Sequence, residues 1–364
     1  MSKLTDLKEF YSGKRVLVTG HTGFKGSWLS LILKILGAEV YGYSLDAPTE
    51  PSLFDILELK EQIHSEIGDI RDYEHLKDFF EEARPQVVLH LAAQPIVRTS
   101  YEFPRETYET NVMGTVNLLE CIRNYNLSHK DKIISCLNVT TDKVYENNDH
   151  ENHAFKEDEK LDGYDPYSNS KSCSELVTHS YKKSFFDLKD GNETLVSTAR
   201  AGNVIGGGDF ARDRIIPDCV RDTVSGKMIH VRNPYSTRPY QHVLEPLYVY
   251  LVIAMRQVSE PELSGCYNVG PDEEDAITTG ELADKFTAFW GDDAKWHTEA
   301  ELNAPHEAAF LKLDTTRLKE KFAWEPVWHV DDAVRQTVRW YRAWYDKEDM
   351  NLFTRKQIEE FLSK

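Results

Sequence analysis

Apolar residues along the chain fall into short continuous runs separated by longer segments of helical period. "KRVLVTG" reads as a β-branched strand, and "FKGSWLSLILKILG" follows as an apolar helix that Gly37 stops. "AEVYGYSLD" and "SEIGDI" predict a second and third strand, "DYEHLKDFFEEA" an amphipathic helix and "PQVVLHLAA" a fourth strand. A helix is expected over about Tyr108 to Asn124, a fifth strand over "KIISCLNV", a helix over "SNSKSCSELVTHSYKKSFF" and another strand over "ETLVSTARA". Strands that are apolar throughout are covered on both faces. Alternating with helices, they give the βαβ pattern of a parallel sheet sandwiched between helical layers.

The pattern loosens after Arg200. "GNVIGGGDFARDRIIPD" is a glycine-rich loop entering a helix, "RNPYSTRPYQHV" a polar, aromatic loop, "GCYNVG" a short strand, and the last sixty or so residues are mainly helical. The expected fold class is α/β, a Rossmann-type doubly wound parallel sheet with a smaller C-terminal mixed α/β portion. Residues 1–200 would form the dinucleotide-binding domain with the chemical motifs. Residues 201–364 would mainly hold substrate, with some strands returning to the first sheet.

Composition narrows the partners. The chain has 364 residues, 40% of them hydrophobic, which is enough for a substantial core, and a formal net charge of −18. That charge repels phosphate backbones and acidic bilayers, so neither nucleic acid nor a membrane surface is an expected partner. The five cysteines are dispersed without metal-ligand spacing and read as buried thiols of a reducing compartment. With no apolar leader or membrane-length run, a cytoplasmic location is expected. In "ENNDHENHAFKEDEK", His150 and His153 are read as part of a solvated loop, with metal binding the lesser alternative.

"TGHTGFKG" sets Gly20, Gly23 and Gly26 between the first strand and the first helix. Glycines there let the chain turn tightly and bring backbone N–H groups onto a pyrophosphate. Thr22, Phe24 and Lys25 lie in the same turn. Asp46, after the second strand, suits a ribose diol, which favours NAD; its alternative is a turn or cap residue. Asp69 and Ile70 could flank an adenine, Ala92, Ala93 and Gln94 end the fourth strand near the cofactor, and Asn111 completes the expected cofactor set.

Two further motifs carry chemistry. The fifth strand ends in Thr140, Thr141, Asp142 and Lys143, and "YDPYSNSK" places Tyr167 and Lys171 four apart on one helical face. An ammonium beside a phenol favours phenolate, making the tyrosine able to take a proton from an alcohol.

The whole set resembles the extended short-chain dehydrogenases/reductases, and within them the nucleotide-sugar 4,6-dehydratase family. "VTGHTGFKGSWLSL", "AAQPIVR", "TDKVY", "GYDPYSNSK", "RAGNVIGGGDFARDRIIPD" and "RNPYSTRPYQHVLEPL" carry the resemblance, which spans nearly the whole chain. "GHTGFKGSWLS" and "RAGNVIGGGD" are narrow to the subgroup acting on CDP-glucose. The resemblance implies a lyase with tightly used NAD: the sugar is oxidised at carbon 4, water leaves across carbons 5 and 6, and hydride returns to carbon 6. The product is a 4-keto-6-deoxy sugar for deoxysugar and surface-polysaccharide (O-antigen) synthesis. It also implies roles for Thr141 at the carbon 4 oxygen and Asp142 as the acid for the departing hydroxyl. Lys143 stands where many relatives carry Glu, and the CDP-glucose subgroup is similar to this chain in having Lys there. It is either the base for the carbon 5 proton, which requires a pKa well below its reference of about 10.4, or a cation stabilising the enolate.

For the diphosphate, Arg238 and Asn203 match substrate-holding positions of similar enzymes, with Arg98, Arg212 and Arg232 as secondary candidates. His306 either contacts the nucleotide or caps a loop. An epimerase would need Tyr167 and Lys171 but not Asp142 and Lys143, and a silent NAD-binding regulator is a more distant alternative. Similar enzymes are dimers through paired helices, and Tyr108 to Asn124 with Ser168 to Phe186 could form such a bundle.

Overall fold

The computed structural model describes residues 3–147, 153–186, 194–298 and 311–364. The predicted strands assemble as one seven-stranded sheet. In chain order these are β1 (Arg15–Thr19), β2 (Glu39–Ser44), β3 (His64–Ile67), β4 (Val87–His90), β5 (Ser135–Thr141), β6 (Leu195–Ala201) and β7 (Cys266–Val269). The spatial order is β7-β6-β5-β4-β1-β2-β3, and every neighbouring pair is parallel. The order reverses between β1 and β4. The carboxyl edge of the sheet at such a reversal is where α/β proteins of this kind have the crevice that binds ligands.

Alternate strand residues feed two separate cores. Val16, Val18, Val87, Leu89, Leu137 and Val139 face a large cluster with Trp28 and Leu31 of the helix Phe24–Ile35 (α1) and Leu247 and Leu251 of the helix Leu244–Ser259. Leu17, Val88, Cys136 and Val196 face the opposite cluster, built on Phe79 and Phe80 of Tyr73–Ala83 and Leu118 and Ile122 of Gly114–Ser128. Both faces are therefore covered, which explains why the strands are apolar at successive positions.

Two details differ from the sequence expectation. The fifth strand starts and ends later than its apolar run, because pairing with β6 continues through Thr140 and Thr141. The expected helix from Tyr108 begins with a widened π-type turn, Glu109–Met113, before Gly114–Ser128. β7, from the C-terminal portion, pairs with β6 and closes one edge of the sheet.

Among the described residues no helix is long and apolar enough to cross a membrane, and no group of ligating side chains could hold a metal ion. His153 pairs with Glu159 at 2.7 Å, while His150 lies outside the described residues. The cysteines are all free.

Candidate active site

The turn after β1 is built for contact with backbone. Gly20 has φ +77°, in the left-handed region, and a Cβ there would lie 2.8 Å from the amide nitrogen of Ala92. A Cβ on Gly26 would lie 2.0 Å from the Gly20 carbonyl oxygen. The two loops bordering the crevice thus touch, glycine against alanine. Gly23 caps the N-terminus of α1 with no side-chain hydrogen bond, so the first amides of that helix keep their donors for an external acceptor. This cradle fits a dinucleotide pyrophosphate.

The other cofactor candidates are distributed as follows. Thr22 bonds the Ser44 hydroxyl at 2.6 Å and donates to the Leu45 carbonyl at 2.8 Å, tying the glycine turn to the end of β2. Asp46, one residue further, is exposed. Phe24 packs against the larger core. Asp69 is held by Arg71 at 2.6 Å, which keeps its carboxyl below the usual range even though burial opposes this, and Ile70 is buried in the smaller core. Ala92, Ala93 and Gln94 are half-buried along the crevice. Asn111, in the widened turn, accepts from the Gln94 amide at 2.8 Å and donates to Ser170 at 2.9 Å, joining the loop after β4 to the helix Pro166–Tyr181 (α2).

That helix starts at Asp165, which caps it by accepting from the Ser168 amide at 3.0 Å, with Pro166 in its first turn. It brings Tyr167 and Lys171 against the end of β5. The Tyr167 phenol is hydrogen-bonded to Thr141, whose hydroxyl donates to Asp142 Oδ1 at 2.9 Å. Asp142 is 1% exposed, and its Oδ2 has no partner among the described residues. The Lys171 ammonium donates to the Val139 carbonyl at 3.0 Å, and burial lowers its pKa to about 8, with Glu175 opposing. Lys143 is half-buried at the middle of the turn Asp142–Val144.

Electrostatics correct one expectation. Sequence reasoning has Lys171 drawing the Tyr167 phenol down; in the structure burial pushes it up to about 12. The opposing influences are the Thr141 hydrogen bond and the positive charge of Arg214.

Of the expected substrate-binding residues, Arg238 is buried on the short strand Thr237–Pro239 and donates to the Thr237 carbonyl at 2.9 Å. The Asn203 carbonyl accepts from Gln241 at 3.1 Å. Arg98 lies half-buried in the first turn of Val97–Glu102. Arg232 is paired with Asp213 and Asp218. Arg212 is exposed, and His306 lies outside the described residues.

Three residues near the chemistry were missed as such. Arg214, two positions beyond Arg212, pairs with buried Asp209 at 2.7 Å and acts electrostatically on both Tyr167 and Lys25. Tyr250 is buried with an unpartnered hydroxyl, feels Tyr167 and Asp142, and lies 5.9 Å beneath the Lys25 ammonium. Glu175 is the third. Lys25 itself is lowered to about 8, mainly by burial and then by Arg214. A chain of net charge −18 therefore brings Lys25, Lys171 and Arg214 together near buried Asp142, with Asp209 and Glu175 as the further buried carboxyls facing two of them.

Comparison with known proteins gives the same chemistry. Over 359 residues the chain is 48% identical to the CDP-glucose 4,6-dehydratase of Salmonella typhimurium, covering 98% of each chain. A dTDP-glucose 4,6-dehydratase from Bacillus anthracis, solved in complex with NAD, shares the fold with a TM-score of 0.73 at 23% identity, over 92% of this chain and 98% of that one. An epimerase from Methanothermobacter thermautotrophicus superposes with a TM-score of 0.80 at 22% identity, over 97% of each chain. Residues 17–337 match the family model described as GDP-mannose 4,6 dehydratase. The chain belongs to that family, the nucleotide-sugar 4,6-dehydratases.

Proposed function

We propose that the chain is an NAD-dependent lyase that converts CDP-glucose to CDP-4-keto-6-deoxyglucose for deoxysugar synthesis. The observation that carries this reading is the continuity of Tyr167, Thr141 and Asp142. A hydrogen-bonded pair suited to an alcohol proton adjoins a buried carboxyl with a free oxygen. Alcohol oxidation alone needs the first two; elimination needs the third. When bound, NAD supplies the acceptor for the carbon 4 hydride and its return to carbon 6.

Gly20, Gly23 and Gly26, with Thr22, Phe24 and Lys25, would hold the pyrophosphate side, and Asp46 the ribose. Asp69, Ile70, Ala92, Ala93, Gln94 and Asn111 would line the remainder. Tyr167 takes the proton of the carbon 4 hydroxyl while Thr141 bonds that oxygen, and Lys171 supplies positive charge behind them. Asp142 gives its proton to the departing carbon 6 hydroxyl. Lys143 either removes the carbon 5 proton or stabilises the enolate. Arg238 and Asn203, with Arg98, Arg212, Arg232 and His306 as further contacts, hold the diphosphate and nucleotide; half-buried Arg214 joins them on the strength of its position. Residues 1–200 would form the cofactor unit and 201–364 mainly the substrate unit.

Two copies would associate through the helices bearing exposed Tyr101, Phe103, Met113 and Leu176, a patch that supports a homodimer. Cytoplasmic action is supported by the free cysteines.

Incubation with CDP-, dTDP-, GDP- and UDP-hexoses, followed by mass spectrometry, tests the reading. Loss of one water from CDP-glucose, with a product absorbing in alkali as a 4-keto-6-deoxy sugar, is expected. Interconversion of epimers at unchanged mass, or no turnover, would refute it.

A further inference from the structure

Glu175 lies one turn beyond Lys171 on α2 and has no part in the scheme above. Its side chain is 3% exposed, yet both oxygens are engaged. Oε1 accepts from the Thr140 hydroxyl. Oε2 accepts from the Thr198 hydroxyl at 2.7 Å and from Arg200 Nη2 at 3.0 Å. Arg200, equally buried, donates through Nη1 to the Tyr145 hydroxyl at 2.8 Å and the Glu157 carbonyl at 2.9 Å, and its guanidinium lies over the Tyr145 ring. The Tyr145 hydroxyl in turn donates to Asn268 Oδ1 of β7 at 2.6 Å. The network therefore holds the chemical segment from both ends. Thr140 immediately precedes Thr141, and Tyr145 follows the turn Asp142–Val144.

A buried ion pair is a weak stabiliser, since well-packed apolar groups do as well or better. Placing one directly behind the reacting groups points to geometry as its purpose. We propose that Glu175 is a positioning residue for dehydration: it locks the strand end bearing Thr141 and Asp142 to the helix bearing Tyr167 and Lys171, and supplies the negative charge that faces the Lys171 ammonium. This rests on the function proposed above. The charge acting on Lys171 is that of Glu175 from its own helix, and Lys171 in turn acts on Lys25 of α1 and His90 of β4. Burial holds the His90 imidazole down to about 3, so it is neutral at pH 7, and Lys25 is a like charge. Glu175 is thus the group that opposes the effect of burial on the lysine. Facing Glu175 are Arg200 and Thr198 from β6, Thr140 from β5, Tyr145 beyond it and Cys266 from β7.

The test uses the full chain with Glu175→Gln, Glu175→Asp and Thr140→Val. The titration of Lys171 is followed by the carbon NMR resonance of its Cε, without substrate, and the pH profile of kcat is measured with CDP-glucose. Loss of the carboxylate charge leaves burial unopposed, so Lys171 in Glu175→Gln titrates lower by roughly one unit or more. The alkaline limb of kcat moves down with it. Glu175→Asp, which keeps the charge, restores the titration. Thr140→Val leaves the titration in place and lowers kcat about tenfold or more with KM little changed, because Thr141 and Asp142 lose their register. If Glu175→Gln does not fold, Thr140→Val decides: wild-type kcat in that variant overturns the proposal. An unmoved Lys171 titration in folded Glu175→Gln also overturns it. Absence of wild-type dehydration would instead fail the function itself, leaving the NMR titration as a separate reading.

Discussion

Replacing Gly26 with alanine adds a single methyl group at the point where α1 meets the turn after β1. On propensity alone the change is favourable, because Gly is worse than Ala within a helix by roughly 1 kcal/mol. Space opposes it. The new Cβ would lie 2.0 Å from the Gly20 carbonyl oxygen and 2.7 Å from the His21 Cα, whereas real Cβ contacts essentially never fall below 3.0 Å. Backbone must therefore retreat by about 1 Å, and it cannot do so freely. Gly20 is in turn pressed against Ala92, and Thr22 is bonded to Ser44 and Leu45 at the end of β2. Overpacking of this kind costs ~1–3 kcal/mol, so the clash outweighs the propensity gain. Gly23 makes the comparison sharp. A Cβ there would meet the Gly20 oxygen at 3.4 Å, an ordinary contact, and the cost reduces to the preference for Gly over Ala at a helix N-cap.

Urea unfolding of both variants, with NAD titrated by quenching of intrinsic fluorescence, measures the difference. Gly26→Ala is expected to lose ~1–3 kcal/mol of stability and at least tenfold in NAD affinity, since a displaced helix N-terminus no longer aims its amides at the pyrophosphate. Gly23→Ala should stay within ~1 kcal/mol of wild type. Equal stability losses in the two variants, or wild-type NAD affinity in Gly26→Ala, would refute the claim that the close approach of Gly26 to Gly20 shapes the cofactor turn.

Asp142→Asn keeps the carbon 4 oxidation, seen as a transient rise of NADH absorbance, but lowers dehydration about a hundredfold or more; equal loss of both steps counts against the acid role. Glu245, buried beneath the amides of Val327 and Trp328, is raised by burial from a reference of 4.5 to about 7. A carboxyl whose native pKa is raised contributes stability that is complete below its unfolded pKa and lost as pH rises through its native value. Glu245→Gln should therefore gain in unfolding free energy, measured with urea, over wild type between pH 5 and 8, by up to about a few kcal/mol, with little gain at pH 4.5. A constant difference across that range would contradict the shift. Met113→Glu with Leu176→Glu should convert a dimer to a monomer in light scattering, with the fold retained by circular dichroism; a persistent dimer places the interface elsewhere.

The strands of the sheet other than β3 were legible because they are largely buried on both faces and so show up as apolar runs, whereas β3 at the sheet edge has no buried residue; the glycine turn was legible because its spacing is bound to a strand-to-helix junction. What escaped depends on polar residues whose partners are distant in sequence. Thr140 reads as the polar exit of β5, yet it lies within the sheet opposite Arg200, its hydroxyl taken by Glu175. Neither Glu175 nor Arg200 announces itself, since a charged residue on a helix or strand is ordinarily solvated; each is admitted to the interior only by the other. The choice between Arg212 and Arg214 turns on one backbone angle. Asp213 between them adopts φ +64°, a reversal that composition does not foretell for a non-glycine residue, and the chain turns Arg214 inward to Asp209 while Arg212 stays exposed. Asn111 was named from its motif, but its reach to both Gln94 and Ser170 depends on the widened turn Glu109–Met113, an irregularity that helical periodicity conceals. Local pattern therefore specifies the elements that carry the chemistry, while the relative placement of their ends is set by buried polar contacts of long sequence separation. Substitutions in that second group should consequently alter turnover before they alter the fold.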